Sequence, residues 1–456
     1  MAAYPPAEPE VGPPVHHHDG QAAPRPHVHV VQADAPGRLH EGVRPSLPHT
    51  RLHHCTALQD RLSQQAKIGV THTRTDEQNV HTSATLGDFL QIPTCIGWNG
   101  ESHSEEASSP DRRLQETVWK VLSMVETPLS PLVSAAGITT QRHVDALYAR
   151  PKHFSPDVKK KAALSTGITV EYVIHENETK ADDAPEERVI LVMGFMTIKE
   201  AWTPLIDMLL HKWDDAVDRK RNVKLVSFDN RGVGGSDVPW WRYTTSGMAQ
   251  DALALMDFLE WESAHVVGVS MGGMISLELA ATAPKRVKSL TLMVTTRGKY
   301  EEDPRSKGPM KESMDAKEPE AIAEAQLKLL YSDVFLDQPM SFGGKTRREV
   351  MHEYLEFHAK TRVKPLVRGM VNQVLAIRTH WISDERFAAI NGSGFPILLV
   401  GGAMDILIPP REMQTLHQHL KGDHVQTLFF EQGGHGIFIQ YPEEIADGLT
   451  GLILRC

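Results

Sequence analysis

A chain of 456 residues, 41% hydrophobic and 23% charged, has the make-up of a globular protein with room for two or three structural units. Its 48 lysines and arginines against 58 aspartates and glutamates leave a net charge of −10, which speaks against non-specific nucleic-acid binding, since that needs a basic surface. Its 3 cysteines (Cys55, Cys95, Cys456) exclude a disulfide framework, no apolar run reaches the roughly 20 residues of a transmembrane helix, and the N-terminus has no basic-then-apolar leader, so a cytoplasmic location is expected.

Residues 1–110 are rich in Pro, His, Ser, Thr and Gly and poor in large apolar side chains. Such a stretch cannot bury enough apolar area to offset its ordering entropy, and it reads as a largely disordered tail. Histidines crowd into it, among them His16, His17, His18, His27 and His29. They show no fixed Cys/His spacing of a structural zinc site, so no metal is expected. Residues 111–166 read as a helical extension. Leu114, Val118, Val121, Leu122 and Val125 form one apolar stripe, of the kind that packs on its own domain and can also touch a membrane surface. Short helices are expected through His143–Ala149 and Pro156–Leu164.

From Gly167 onward the pattern alternates between strand and helix. Strands are expected at Ile168–His175, Val189–Met193, Val223–Phe228, His265–Val269, Val287–Val294, Pro396–Val400 and Val425–Phe430. Helices are expected at Ala201–Val217, Thr245–Trp261, Met274–Thr282, Arg411–Leu420 and Pro442–Leu454. This alternation implies an α/β fold around a mostly parallel sheet. Residues 296–395 interrupt it without a sheet pattern. Their first part, Arg297–Glu320, is highly charged and reads as a mobile stretch. The rest reads as helical, with apolar groups at Leu329, Leu330, Tyr331, Val334, Phe335 and Leu336, and at Val363, Leu366, Val367, Met370, Val371, Val374 and Leu375.

The sharpest motif is Gly268-Val269-Ser270-Met271-Gly272-Gly273, set between a buried strand and a helix. A serine at such a turn is held in a strained conformation with its Oγ above the sheet, and the small neighbours let other backbone pass close by. The helix behind it aims N–H groups at the same place, favouring negative charge. A nucleophilic serine needs a base, and the base needs an orienting carboxylate. Asp405 ends the apolar run Pro396–Gly402 just past the strand, where active sites of open α/β sheets form. His435 lies in the glycine loop Gln432-Gly433-Gly434-His435-Gly436 after the next strand. Oxyanion donors are expected from the backbone N–H of Met271 and of Phe195, the latter in the turn Met193-Gly194-Phe195-Met196. The loop Phe228–Asp237 (sequence FDNRGVGGSD) lacks the spacing of a phosphate-binding loop, so Asp229 and Arg231 are expected to fix neighbouring loops by charged hydrogen bonds.

In order and spacing these motifs resemble the α/β-hydrolase superfamily, in its form with a cap inserted before the strand carrying the catalytic acid. The resemblance spans roughly Gly167 to Cys456. It implies a core of residues 167–295 and 396–456 and a helical cap of residues 296–395. It also implies Ser270 as nucleophile, His435 as base and Asp405 as orienting acid, with Phe195 and Met271 in the oxyanion role and no metal or organic cofactor. The turn around Ser270 is similar to that of esterases, lipases and methylesterases, although Met193 stands where many members have histidine. The expected substrate is a small-molecule ester with an apolar acyl group, and peripheral membrane contact is compatible with it. Acyl transfer by the same triad, or a non-catalytic ligand-binding or scaffold role, are the alternatives.

Overall fold

The computed structural model describes residues 132–216, 221–361 and 366–456. The expected tail, the apolar stripe from Leu114 to Val125, and Val363 lie outside the described residues. Eight strands form a single sheet: β1 (Lys160–Ala163), β2 (Thr169–Glu176), β3 (Glu186–Val192), β4 (Asn222–Phe228), β5 (Ala264–Val269), β6 (Val287–Met293), β7 (Ile397–Gly402) and β8 (Val425–Phe430). Their spatial order is β1-β2-β4-β3-β5-β6-β7-β8. The β1/β2 and β2/β4 pairs are antiparallel and all others are parallel. The C-terminal ends of β3, β5, β7 and β8 therefore open on the same edge, which brings the loops after them together.

Parallel strands covered on both faces need apolar side chains on both. In β3, Val189 and Leu191 enter one core while Ile190 and Val192 enter the other. The first core is closed by α1 (Gln141–Leu147), α2 (Thr203–Ala216) and α11 (Pro442–Ile453), with Leu205, Leu209, Ile445 and Leu449 all buried. The second is closed by α3 (Thr245–Phe258), α4 (Met271–Thr282) and α10 (Pro410–His419), which bury Leu255, Ile275 and Leu416. Between β6 and β7 run α5 (Lys307–Asp315), α6 (Pro319–Leu330), α7 (Arg347–Thr361), α8 (Val367–Arg378) and α9 (Asp384–Gly392).

Three expectations about local structure change. Pro156–Val158 is a single tight turn and Lys160–Ala163 is the strand β1, where a helix through Pro156–Leu164 is expected. Pairing with β2 outweighs the helical propensity of the Lys-Lys-Ala-Ala run. The strand buries Ala162 and turns Lys160 and Lys161 outward. The charged stretch Arg297–Glu320 carries the helix α5, as its lysine, glutamate and methionine content allows. Lastly, the apolar residues of α8 do not all turn inward. Val367, Val371 and Leu375 are exposed, as is Leu366 just before the helix, and the buried face is Gly369, Gln373 and Ala376.

At the other edge, Val133 pairs with Phe430 as an isolated bridge, its N–H donating to Phe429 O at 2.5 Å and its carbonyl accepting from Glu431 N at 3.2 Å. Deep in the sheet, His175 of β2 meets the Ser227 hydroxyl of β4 at 2.9 Å. Burial first, then the charges of His153 and Lys199, push the His175 imidazolium down to about 3. The unfolded chain titrates near 6.5 and takes up a proton there that the fold refuses. This contribution is complete above pH 6.5 and declines as pH falls towards 3, with a slope of at most ~1.4 kcal/mol per pH unit. Denaturant titrations at pH 7 and pH 4.5 should therefore show a pH-linked loss in the natural protein that is smaller in His175→Gln. Equal losses would discard His175 as the source.

Candidate active site

Ser270 ends the turn from β5 into α4 with φ 54° and ψ −121°, a conformation that L-residues avoid and that surrounding structure must enforce. The enforcement is visible. Ser270 N donates to Met293 O of β6 at 2.9 Å, and Ser270 O accepts from the Thr295 hydroxyl at 2.7 Å and from Gly273 N at 2.9 Å. Two positions on, Gly272 lies so close to β3 that a Cβ there would stand 2.0 Å from Val192 O. No other residue fits this crossing of helix and strand.

His435, the expected base, lies in the loop after β8. His435 Nε2 lies 3.0 Å from Ser270 Oγ, and His435 Nδ1 lies 2.8 Å from Asp405 Oδ2. A carboxylate only accepts, so Nδ1 carries the proton and Nε2 is left to accept from the serine hydroxyl. Asp405 is almost wholly buried. Its other oxygen, Oδ1, accepts from Leu407 N at 2.8 Å and Ile408 N at 2.9 Å. Both oxygens are thus satisfied, which is the condition for holding a carboxylate in the interior. Three residues spanning 165 positions of sequence form one chain of hydrogen bonds.

Phe195 and Met271, the expected oxyanion donors, lie on the two segments that meet at Ser270. Met271 is the first residue of α4, where N–H groups have no carbonyl one turn back to bond. Gly194, just before Phe195, packs against Ser270: a Cβ on it would stand 3.3 Å from the serine Cβ and 3.8 Å from its Oγ. The turn is fixed at its start by Asn230, whose Nδ2 donates to Met193 O at 2.7 Å. Nearby, Tyr300 is pushed up to about 12, by burial first and then by the charges of Glu302 and Asp405, and remains a neutral phenol. Burial likewise raises the Glu412 carboxyl, although the Thr296 hydroxyl donates to it at 2.6 Å.

Residues 187–442 match the model of a known family, described as the alpha/beta hydrolase fold. The chain belongs to the alpha/beta hydrolase family. Among its relatives in this family, the RutD protein of Caulobacter vibrioides, named for carbamate hydrolysis, is 28% identical over 275 residues, which cover 59% of this chain and 91% of that protein. Among solved structures, a meta-cleavage product hydrolase from Pseudomonas fluorescens IP01 superposes with a TM-score of 0.51 at 18% identity, over 66% of this chain and 98% of its own. A hydrolase from Pseudomonas aeruginosa PA01 gives 0.50 at 19% identity, over 66% and 99%. At such identities the two structures speak for the alpha/beta hydrolase fold alone.

Of the two residues expected to fix neighbouring loops, Asp229 does so through Lys199 after β3, whereas the Arg231 guanidinium pairs with Asp251 inside helix α3. Asp229 Oδ2 takes the buried Lys199 ammonium at 2.8 Å and Gly235 N at 2.9 Å, and Arg231 grips both oxygens of Asp251 at 2.6 Å. Sequence reasoning missed several supporting groups. Gln440, fully buried, accepts from Gly434 N at 2.9 Å and donates to Gln432 O at 2.8 Å, bracing the His435 loop from within. Gly436 N donates to Leu330 O at the end of α6, so the helical insertion also touches that loop. Thr295 and Gln373 were likewise passed over. A polar residue inside an otherwise apolar segment is the only signal they give.

Proposed function

We propose that the protein hydrolyses carboxylic esters through Ser270, His435 and Asp405. The observation that carries this reading is the hydrogen-bonded chain Ser270–His435–Asp405 on a serine with φ 54°. Ser270 Oγ attacks the ester carbonyl and its proton passes to His435 Nε2. Asp405 keeps the imidazole in the accepting tautomer and stabilises the imidazolium that forms. The N–H groups of Phe195 and Met271 receive the negative charge on the tetrahedral oxygen. Collapse returns the proton to the leaving alcohol and leaves an acyl-serine, which water resolves by the same route in reverse.

An apolar acyl group, or a lipid-like ester, is the substrate class we favour. Residues 296–395 serve in this reading as the cap that covers the acyl site, with the core formed by residues 167–295 and 396–456. Support for the apolar preference comes from the exposed side chains of Val367, Val371 and Leu375 on α8 and of Trp240 and Trp241 on the loop after β4. Arg368 bridges the two, lying 3.8 Å over the Trp240 ring. Tryptophans beside aliphatic groups also suit peripheral contact with a membrane surface, and among the described residues no helix is long and apolar enough to cross one.

A fluorophosphonate probe on the full chain, with the adduct mapped by mass spectrometry, tests the reading. Labelling confined to Ser270 is expected, together with turnover of p-nitrophenyl esters of graded acyl length. Because relatives carry the name of carbamate hydrolases, carbamates belong in the same panel. Faster turnover of carbamates than of every ester would replace the substrate class, and acylated alcohol in place of free acid would indicate transfer. Folded protein without labelling would overturn the catalytic reading.

A further inference from the structure

The buried face of α8 presents a fully buried Gln373. Its Oε1 accepts from Met196 N at 2.9 Å, and its Nε2 donates to Arg231 O at 2.9 Å. The first contact is with the loop after β3 and the second with the loop after β4. One side-chain amide in the inserted helices thus joins the loop after β3, whose Gly194 packs against Ser270, to the loop after β4. The pairing also fixes the amide's orientation, because an N–H faces its oxygen and a carbonyl faces its nitrogen.

The loop after β3 needs such a tie. Met196 has φ 51°, a left-handed conformation uncommon for a residue with a side chain. The peptide unit joining Phe195 to Met196 is held at both ends: its N–H by Gln373, and its C=O by the Thr197 hydroxyl at 3.0 Å. Holding that plane restricts the ψ of Phe195. Together with the φ of Phe195, that ψ sets the direction of the preceding N–H, that of Phe195 itself. Backbone packing keeps the helix in place, since Gly369 lies so close to Gly232 that a Cβ on Gly369 would stand 2.2 Å from Gly232 O.

We propose that Gln373 is a positioning residue: by fixing Met196 N–H to the insertion and the insertion to Arg231 O, it aims the Phe195 N–H at the oxyanion and makes transition-state stabilisation depend on the seating of α8. The proposal rests on the ester-hydrolase reading above. It assigns to the insertion a role in the rate of the chemical step, besides any role in shaping the acyl site.

The test compares Gln373→Leu and Gln373→Glu with the natural full-length protein. Leucine removes both hydrogen bonds at similar volume. Its kcat should fall roughly 10- to 100-fold with KM changed by less than about threefold, because displacement of a reacting group by ~1 Å costs ~100-fold. The rate of Ser270 labelling by a fluorophosphonate should fall in parallel. Glutamate keeps the acceptor for Met196 N–H, and regains a donor for Arg231 O only when its carboxyl is protonated. Its activity relative to the natural protein should therefore decline as pH rises. Amide hydrogen exchange at Met196 should accelerate in the leucine variant whether or not any ester is turned over. Unchanged kcat in a folded Gln373→Leu protein, or an effect confined to KM, overturns the proposal. So does a Gln373→Glu ratio that does not vary with pH. If the natural protein neither labels nor turns over esters, the hydrolase reading fails, and unchanged exchange at Met196 would then remove the clamp as well.

Discussion

Ser270→Ala is expected to abolish measurable ester turnover, with kcat falling by roughly 10⁶-fold while the fold and substrate affinity persist. The size follows from the geometry. Removing Oγ removes the hydroxyl 3.0 Å from His435 Nε2, the group that the proposed base would activate. Residual rate would come from the oxyanion donors and binding alone, as a triad works as a unit. Stability should hardly change, because the backbone at φ 54° is fixed by the bonds of Ser270 N and O and not by the hydroxyl. Steady-state kinetics with the best ester of the panel, beside a thermal melt of both proteins, checks both halves. Activity of the variant within about a hundredfold of the natural protein would move the nucleophile elsewhere.

Asp405→Asn is expected to cost roughly 10⁴-fold in kcat, although it changes a single atom. Oδ1 of Asp405 accepts from Leu407 N and Ile408 N, and these two donors require an oxygen. The asparagine carbonyl must take that position, so its NH₂ is turned towards His435 Nδ1. A donor there forces the imidazole proton onto Nε2, and the ring then cannot accept from Ser270. Asp405→Ala, which imposes no tautomer, should lose less than the asparagine variant. The ordering of the two rates is the measurement that checks this account. An alanine variant slower than the asparagine variant would rule out tautomer locking as the cause.

The strands and the meeting of Ser270, His435 and Asp405 were legible because each leaves a signature in few residues. A strand buried on both faces must be an apolar run, as in Val189–Val192 and Ile397–Val400. A turn crossing within 2.0 Å of another backbone must be glycine, as Gly272 is. The insertion gave less. Its α8 has apolar side chains nearly all round, and periodicity alone does not tell which face meets the protein. The face that does carries Gln373, whose burial depends on partners in two loops more than 140 residues away. The strand β1 was missed for the same kind of reason: pairing with β2, not the run of lysine and alanine, decides its conformation. Lys199 hid likewise, buried only because Asp229 and Glu171 neutralise it.

An open sheet has two borders, and an unpaired border strand invites another chain to add itself there. The two borders of this sheet are protected by different means. On the β1 side the strand is four residues long and turns Lys160 and Lys161 outward, so a second copy docking there would set like charges against each other. On the β8 side the polypeptide that precedes the fold bends back, and Val133 occupies the free N–H and C=O groups beside Phe430. That border is also the base of the His435 loop. A chain shortened past Val133 would lose this guard and tend to self-associate through β8, beside the strand end from which His435 reaches Ser270.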